Sequence, residues 1–167
     1  MIKNSTGRAR SSRISRLETV ALLAVGIGIS LFAAAADEPA GAAVFAGRCA
    51  VCHGPEAAGI PGSFPPLHEQ VMAFAKTPEG RDYLVMVVST GLMGDLKMAG
   101  VSYRGVMPAQ SGLSEAEVAA VLTYLASDRG KDPVPALTAT DVTATRARHP
   151  GSTAQSTRAL RPGFPET

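Results

Sequence analysis

The residues best placed to do chemistry are Cys49, Cys52 and His53, in the run Cys49-Ala50-Val51-Cys52-His53. On one helical turn, thiols at i and i+3 lie together, and each can add across a haem vinyl group to form a thioether. The next residue, His53, is thereby placed under the iron as its proximal ligand. C-x-x-C-H is the attachment pattern of c-type haem, and the chain's 2 cysteines are both spent in it. Paired thiols also serve thioredoxin-like dithiols, plain local disulfides and zinc sites. The first wants a strand–helix context, which the flanking sequence lacks. A zinc site needs four well-placed ligands, and adjacent Cys52 and His53 serve one ion poorly.

The elements that must position these groups read as helices joined by Gly/Pro-rich loops. Gly41 to Cys52 forms a short helix with Val44 and Phe45 on its apolar side. A loop follows from Gly54 to Pro66. Thr77 can cap a helix running to Val88, with Pro78 in its first turn and Glu79 complementing the dipole. Glycines 91, 94, 100 and 105 with Pro108 predict a long loop over Gly91 to Gly112, with no strand pairing. Ser114 and Glu117 form a capping box that opens a helix to about Ser127, with Val118, Val121, Leu122 and Leu125 inward. The predicted fold is all-α and small, with three or more helices around one haem. A buried macrocycle offsets the scarcity of large apolar side chains where aromatics are only 5 %.

The ends of the chain differ from this core. Residues 1–36 carry five basic side chains against Glu18, whereas the remainder carries eleven against thirteen acidic, a net −2. That balance argues against nucleic acid as a partner. The basic Arg8–Arg16 stretch, the apolar run from Val20 to Phe32 and the small residues Ala33 to Ala36 read as an export signal, cleaved before Asp37. Kept uncleaved, the segment would be an N-terminal anchor and the sole route to membrane contact. The expected division is therefore 1–36 signal, 37–132 haem domain and 133–167 a Thr/Ala/Arg-rich tail. Thr138 and Asp141 can cap a short tail helix, but Leu137, Val142 and a few alanines make a meagre apolar face. The tail is expected to be mobile, or loosely laid on the core, and dispensable for haem binding.

Over about residues 38 to 130 the chain resembles a monohaem class I cytochrome c. Gly41-x-x-x-Phe45-x-x-x-Cys49 resembles that family's N-terminal helix, and Leu122-Thr123-Tyr124-Leu125 its C-terminal helix. Pro65-Pro66-Leu67 resembles the loop whose carbonyl accepts the proximal histidine's free N–H. Tyr103-Arg104-Gly105-Val106-Met107-Pro108 resembles the distal methionine loop. The resemblance implies that Gly41 and Phe45 cross against Leu122 and Tyr124.

Five methionines compete for the second axial position. Met72 and Met86 fall in helix-like stretches and suit core filling. Met93 and Met98 lie among the glycines and are within reach of iron. Met107 is favoured: Pro108 biases it to extended backbone, and Gly105 lets the chain turn close to the macrocycle. His68 and His149 are poorly placed for bis-histidine ligation. Pro65 is preferred to Pro66 as acceptor for the His53 N–H. Tyr103 and Arg104 are candidates to donate to haem propionates.

His/Met ligation fills both axial positions, which suits electron transfer and leaves no site for substrate. The sequence therefore reads as a periplasmic electron carrier, not an enzyme, with redox proteins as its donor and acceptor. Three other classes stay open: the cytochrome subunit of a larger oxidoreductase (dehydrogenase, nitrite reductase or terminal oxidase), a haem peroxidase or sensor with open iron, and a thiol–disulfide oxidoreductase.

Overall fold

The computed structural model describes residues 37–98, 100–127 and 135–163. The export segment and the expected boundary at 132/133 lie outside those residues.

The chain enters as helix α1 (Asp37–Val44), widens into a π turn at Phe45–Cys49, and continues as α2 (Ala50–His53). Single π turns of this kind recur at functional sites, because the extra residue re-aims the side chains that follow. Next come α3 (His68–Ala75) and α4 (Pro78–Thr90). The α4 N-terminus forms as its sequence predicts: Thr77 Oγ1 accepts from the Gly80 N–H at 3.0 Å, and Pro78 occupies the first turn. Helix α5 (Glu115–Ala126) opens on the Ser114/Glu117 capping box, with the Glu117 carboxylate accepting from the Ser114 N–H at 2.8 Å.

Helices α1 and α5 cross at very short range. A Cβ at Gly41 would overlap the Ala120 carbonyl and lie 2.8 Å from Tyr124 Cβ, so this crossing requires glycine. The Phe45 and Tyr124 rings then meet with centroids 5.8 Å apart. Phe45, Val85, Val118, Val121 and Leu122 form the centre of the buried core.

Two expectations need correction. The segment expected as a loop after Gly91 is an antiparallel hairpin, β1 (Leu92–Met98) with β2 (Val101–Met107), so the fold is helical with a small two-stranded sheet. Its register pairs Leu92 with Met107, Leu96 with Tyr103, and Met98 with Val101. The glycines shape the hairpin without breaking it. Gly91 and Gly100 turn the chain at positive φ (82° and 77°), and Gly94 sits within β1 at φ 111°.

The second correction concerns the tail. Residues 135–163 fold onto the domain as α6 (Ala139–Arg148), α7 (Ala154–Thr157) and a 3₁₀ turn at Arg158–Leu160. Val142 and Thr157 are fully buried, and Val142 belongs to the main core cluster, with Leu137 and Leu160 packed against it. The rest of the attachment is polar. Thr145 Oγ1 donates to Asp82 at 2.9 Å, Arg146 Nε donates to Ser89 Oγ at 3.1 Å, and the Leu137 N–H donates to Thr123 Oγ1 at 3.0 Å. The apolar face is as small as expected, but hydrogen bonds and ion pairs to α4 and α5 supply what it lacks.

Asp82 is the focus of that attachment, facing Thr145, Arg148 and His149 from α6 and its C-terminus. Burial pushes its carboxyl pKa up. Hydrogen bonds from Arg148 and Thr145, with the Arg148 charge, outweigh this and hold it below the ordinary carboxylate value. A depressed folded pKa gives stability that is present above the unfolded value, about 3.9, and is lost as pH falls through the folded one. Asp82→Asn is therefore expected to destabilise the protein at pH 7, and by progressively less as pH falls below the ordinary carboxylate range. Denaturant titrations of both proteins across pH check this, and a pH-independent difference would overturn it.

Candidate functional site

Cys49 closes the π turn, Cys52 lies in α2 and His53 ends it, so one helical segment carries all three groups. Both thiols are free and half-buried. Burial, then the neighbouring Cys52, raises the Cys49 thiol above its ordinary pKa.

His53 is 7 % exposed, and its Nδ1 donates to the Pro65 carbonyl at 2.8 Å. That bond orients the ring and commits Nδ1–H, leaving the Nε2 lone pair for a metal. Burial holds the imidazole below the ordinary histidine range, although the Pro65 contact pulls it upward. A neutral ring is what ligation needs.

The Pro65 carbonyl is in place because its loop is pinned. Ile60 N–H donates to Phe64 O at 2.7 Å, Gly59 N–H to His53 O at 2.8 Å, and Leu67 N–H to Ala57 O at 2.9 Å. Gly59 is obligatory here, since a Cβ would strike the Phe64 and Pro65 backbone. Phe64, which the sequence reading did not single out, presents its ring to His53 at 6.4 Å in an edge-on arrangement. Its signal was a lone aromatic just before Pro65-Pro66.

The hairpin register sorts the remaining candidates. Alternation places Leu92, Leu96, Met98, Tyr103 and Met107 on one face and Met93, Asp95, Lys97 and Arg104 on the other. Tyr103 is buried on the first face. Arg104 is not with it: it is exposed on the opposite face and pairs with Asp95 at 3.4 Å. Met93 is likewise on the outer face and 40 % exposed, whereas Met98 is buried near the hairpin tip. Met107 ends β2 half-buried, just before Pro108, with its carbonyl against Gly91. Met86 is core, and the Met72 side chain is outside the described set. His149 lies beside Asp82, paired at 3.5 Å, in the C-terminal attachment.

Two thiols on one turn, followed by an imidazole with Nε2 uncommitted, fit covalent haem. Among the described residues, no group of three or more His, Cys, Asp or Glu is placed to hold a metal ion. The cytochrome c family model matches residues 39–128, more than half the chain. The chain belongs to the cytochrome c family.

Two curated relatives agree with this. The chain is 41 % identical over 90 residues to a cytochrome c-552 of Thermus thermophilus, and 41 % identical over 90 residues to a second cytochrome c-552 of the same species. Each alignment covers 54 % of this chain, with 68 % of the first relative and 60 % of the second. The chain is thus a class I c-type cytochrome, an electron-transfer haem protein carrying one covalently attached haem c. The matched span includes the hairpin and α5 and stops before α6.

Proposed function

We propose that this cytochrome is an exported, periplasmic electron carrier whose haem iron is held by His53 and Met107. The observation that carries this reading is the His53–Pro65 hydrogen bond, which fixes the ring with Nε2 as its only free nitrogen. When bound, the haem supplies a one-electron couple that a neutral thioether tunes toward high potential. The chain's own part is to hold the groups still. The Cys49 and Cys52 thiols tether two points on one turn, and the pinned 59–67 loop fixes the imidazole. On the far side, Met107 is favoured over Met98 by its place at the end of β2, clamped between Gly91 and Pro108. The electron donor and acceptor are redox proteins, and the basic, apolar N-terminal segment addresses the chain for export.

Replacing Met107 by alanine tests the assignment. The ferric protein should lose its sulfur-to-iron charge-transfer band, and its reduction potential should fall, while Met98→Ala should keep both near the parent values. Near-infrared spectra and a redox titration read the two effects. Loss of the band in Met98→Ala but not in Met107→Ala would falsify the ligand choice.

A further inference from the structure

Between the hairpin and the C-terminal segment lies a cavity of about 540 Å³. One wall is the hairpin, with Asp95 and Lys97 from β1 and Ser102 and Arg104 from β2. The other is the C-terminal segment, with Arg158 and Arg161. We infer that this cavity is a binding site for a phosphate-bearing anion.

Lys97, Arg104, Arg158 and Arg161 line this concavity, and among its described lining residues Asp95 is the one carboxylate. A basic concavity of this kind attracts a small anion. Asp95 does not close it off. It pairs with Arg104 across the strands, and both side chains are well exposed, so Arg104 can exchange it cheaply for a ligand. Among the described residues, no carboxylate pairs with Lys97 or Arg158.

Two of the guanidinium groups are already placed. Arg161 lies over the Phe74 ring at 5.7 Å and donates from Nη2 to the Lys97 carbonyl at 3.4 Å. Arg158 lies against Gly94, whose missing side chain makes room for it: a Cβ there would stand 3.3 Å from both Cδ and Nη1. Planar guanidinium forks suit phosphate oxygens bidentately, and Ser102 adds a hydroxyl donor. The concave shape favours a small multivalent anion over an acidic protein surface, which would need a broad, flat patch. Because the two walls come from distant parts of the chain, the anion would also fasten the C-terminal segment to the hairpin.

The test uses the haem-loaded full chain, with inorganic phosphate, pyrophosphate and chloride at matched ionic strength. Calorimetric titration should show saturable binding, tighter for pyrophosphate than for phosphate, and each should raise Tm where chloride does not. Arg158→Gln should weaken pyrophosphate binding by about tenfold, and Lys97→Gln with Arg158→Gln should abolish it, with Tm in chloride unchanged. A second arm uses sedimentation with phosphatidylglycerol against phosphatidylcholine vesicles. Binding to the former alone, lost in Arg158→Gln, with no response to free phosphates, would identify a lipid headgroup as the source of the phosphate. The proposal is overturned if phosphate and chloride act alike with no such vesicle binding, or if the variants bind as the parent does. It is equally overturned if neither phosphates nor vesicles bind while poly-glutamate does.

Discussion

Replacing both Cys49 and Cys52 by alanine is expected to abolish covalent haem completely. The two are the chain's full complement of cysteines, so no other thiol is available to form a thioether. Both are free, and both sit on the continuous helical segment that ends in His53. Each single substitution should leave one thioether and a haem that survives denaturation. The measurement is haem staining after denaturing electrophoresis of exported protein: full signal in the parent, retained signal in each single variant, and none in the double. A stained double variant would mean attachment elsewhere. His53 need not be lost with the thiols, since its hydrogen bond to Pro65 depends on the 59–67 loop and not on sulfur. The double variant can therefore still hold haem non-covalently under native conditions. It should do so less tightly, and the small domain should melt lower, because the tether no longer keeps the macrocycle in the core.

What could be read from the residues alone was what local chemistry determines. Thr77-Pro78-Glu79 and Ser114 with Glu117 start helices wherever they occur, because the cap satisfies N–H groups no helix can satisfy for itself. The close crossing at Gly41 was implied by the cytochrome c resemblance and not by local chemistry, and the α1–α5 contact uses that glycine. The C-x-x-C-H run carried its own chemistry in its spacing. The hairpin was hidden by its glycines. Gly94, Gly100 and Gly105 suggested breakage, although Leu92, Leu96 and Met98 already alternate with polar or exposed positions at the period of a strand. Once β1 and β2 pair, the alternation decides more than propensity did: it turns Arg104 and Met93 outward and keeps Tyr103 and Met107 on the inner face. The attachment of the tail is illegible for a different reason. Its own apolar face is small, while its partners Asp82, Ser89, Thr90 and Glu115 lie some 30 to 70 residues earlier and show no local pattern.

Removing residues 135–167 should therefore cost the domain a large share of its stability. The deletion strips Val142 out of the core, a side chain worth about 1.5–3 kcal/mol when fully buried. It also breaks the Thr90–Thr157 hydrogen bond at 2.6 Å and the Leu137–Thr123 bond at 3.0 Å, each contributing about 1 kcal/mol net. Arg146–Glu115 is a partly exposed pair and adds at most about 1 kcal/mol, and the solvent-screened Arg148–Asp82 contact is lost with it. Against this stands the entropy of ordering the segment, which absorbs much of the gross sum. A net loss on the order of 3 kcal/mol is a serious fraction of the roughly 5–15 kcal/mol available to a domain. At about 4–8 °C per kcal/mol, Tm should fall by at least ~10 °C. Because the deletion is drastic, Val142→Asp provides an independent probe of the same contact. It should approach the effect of the deletion, whereas Thr143→Asp, exposed on the next position of α6, should change Tm little. Thermal melts of the haem-loaded proteins decide it: a truncated cytochrome melting within about 2 °C of the full chain would show that α6 and α7 rest on the domain without supporting it.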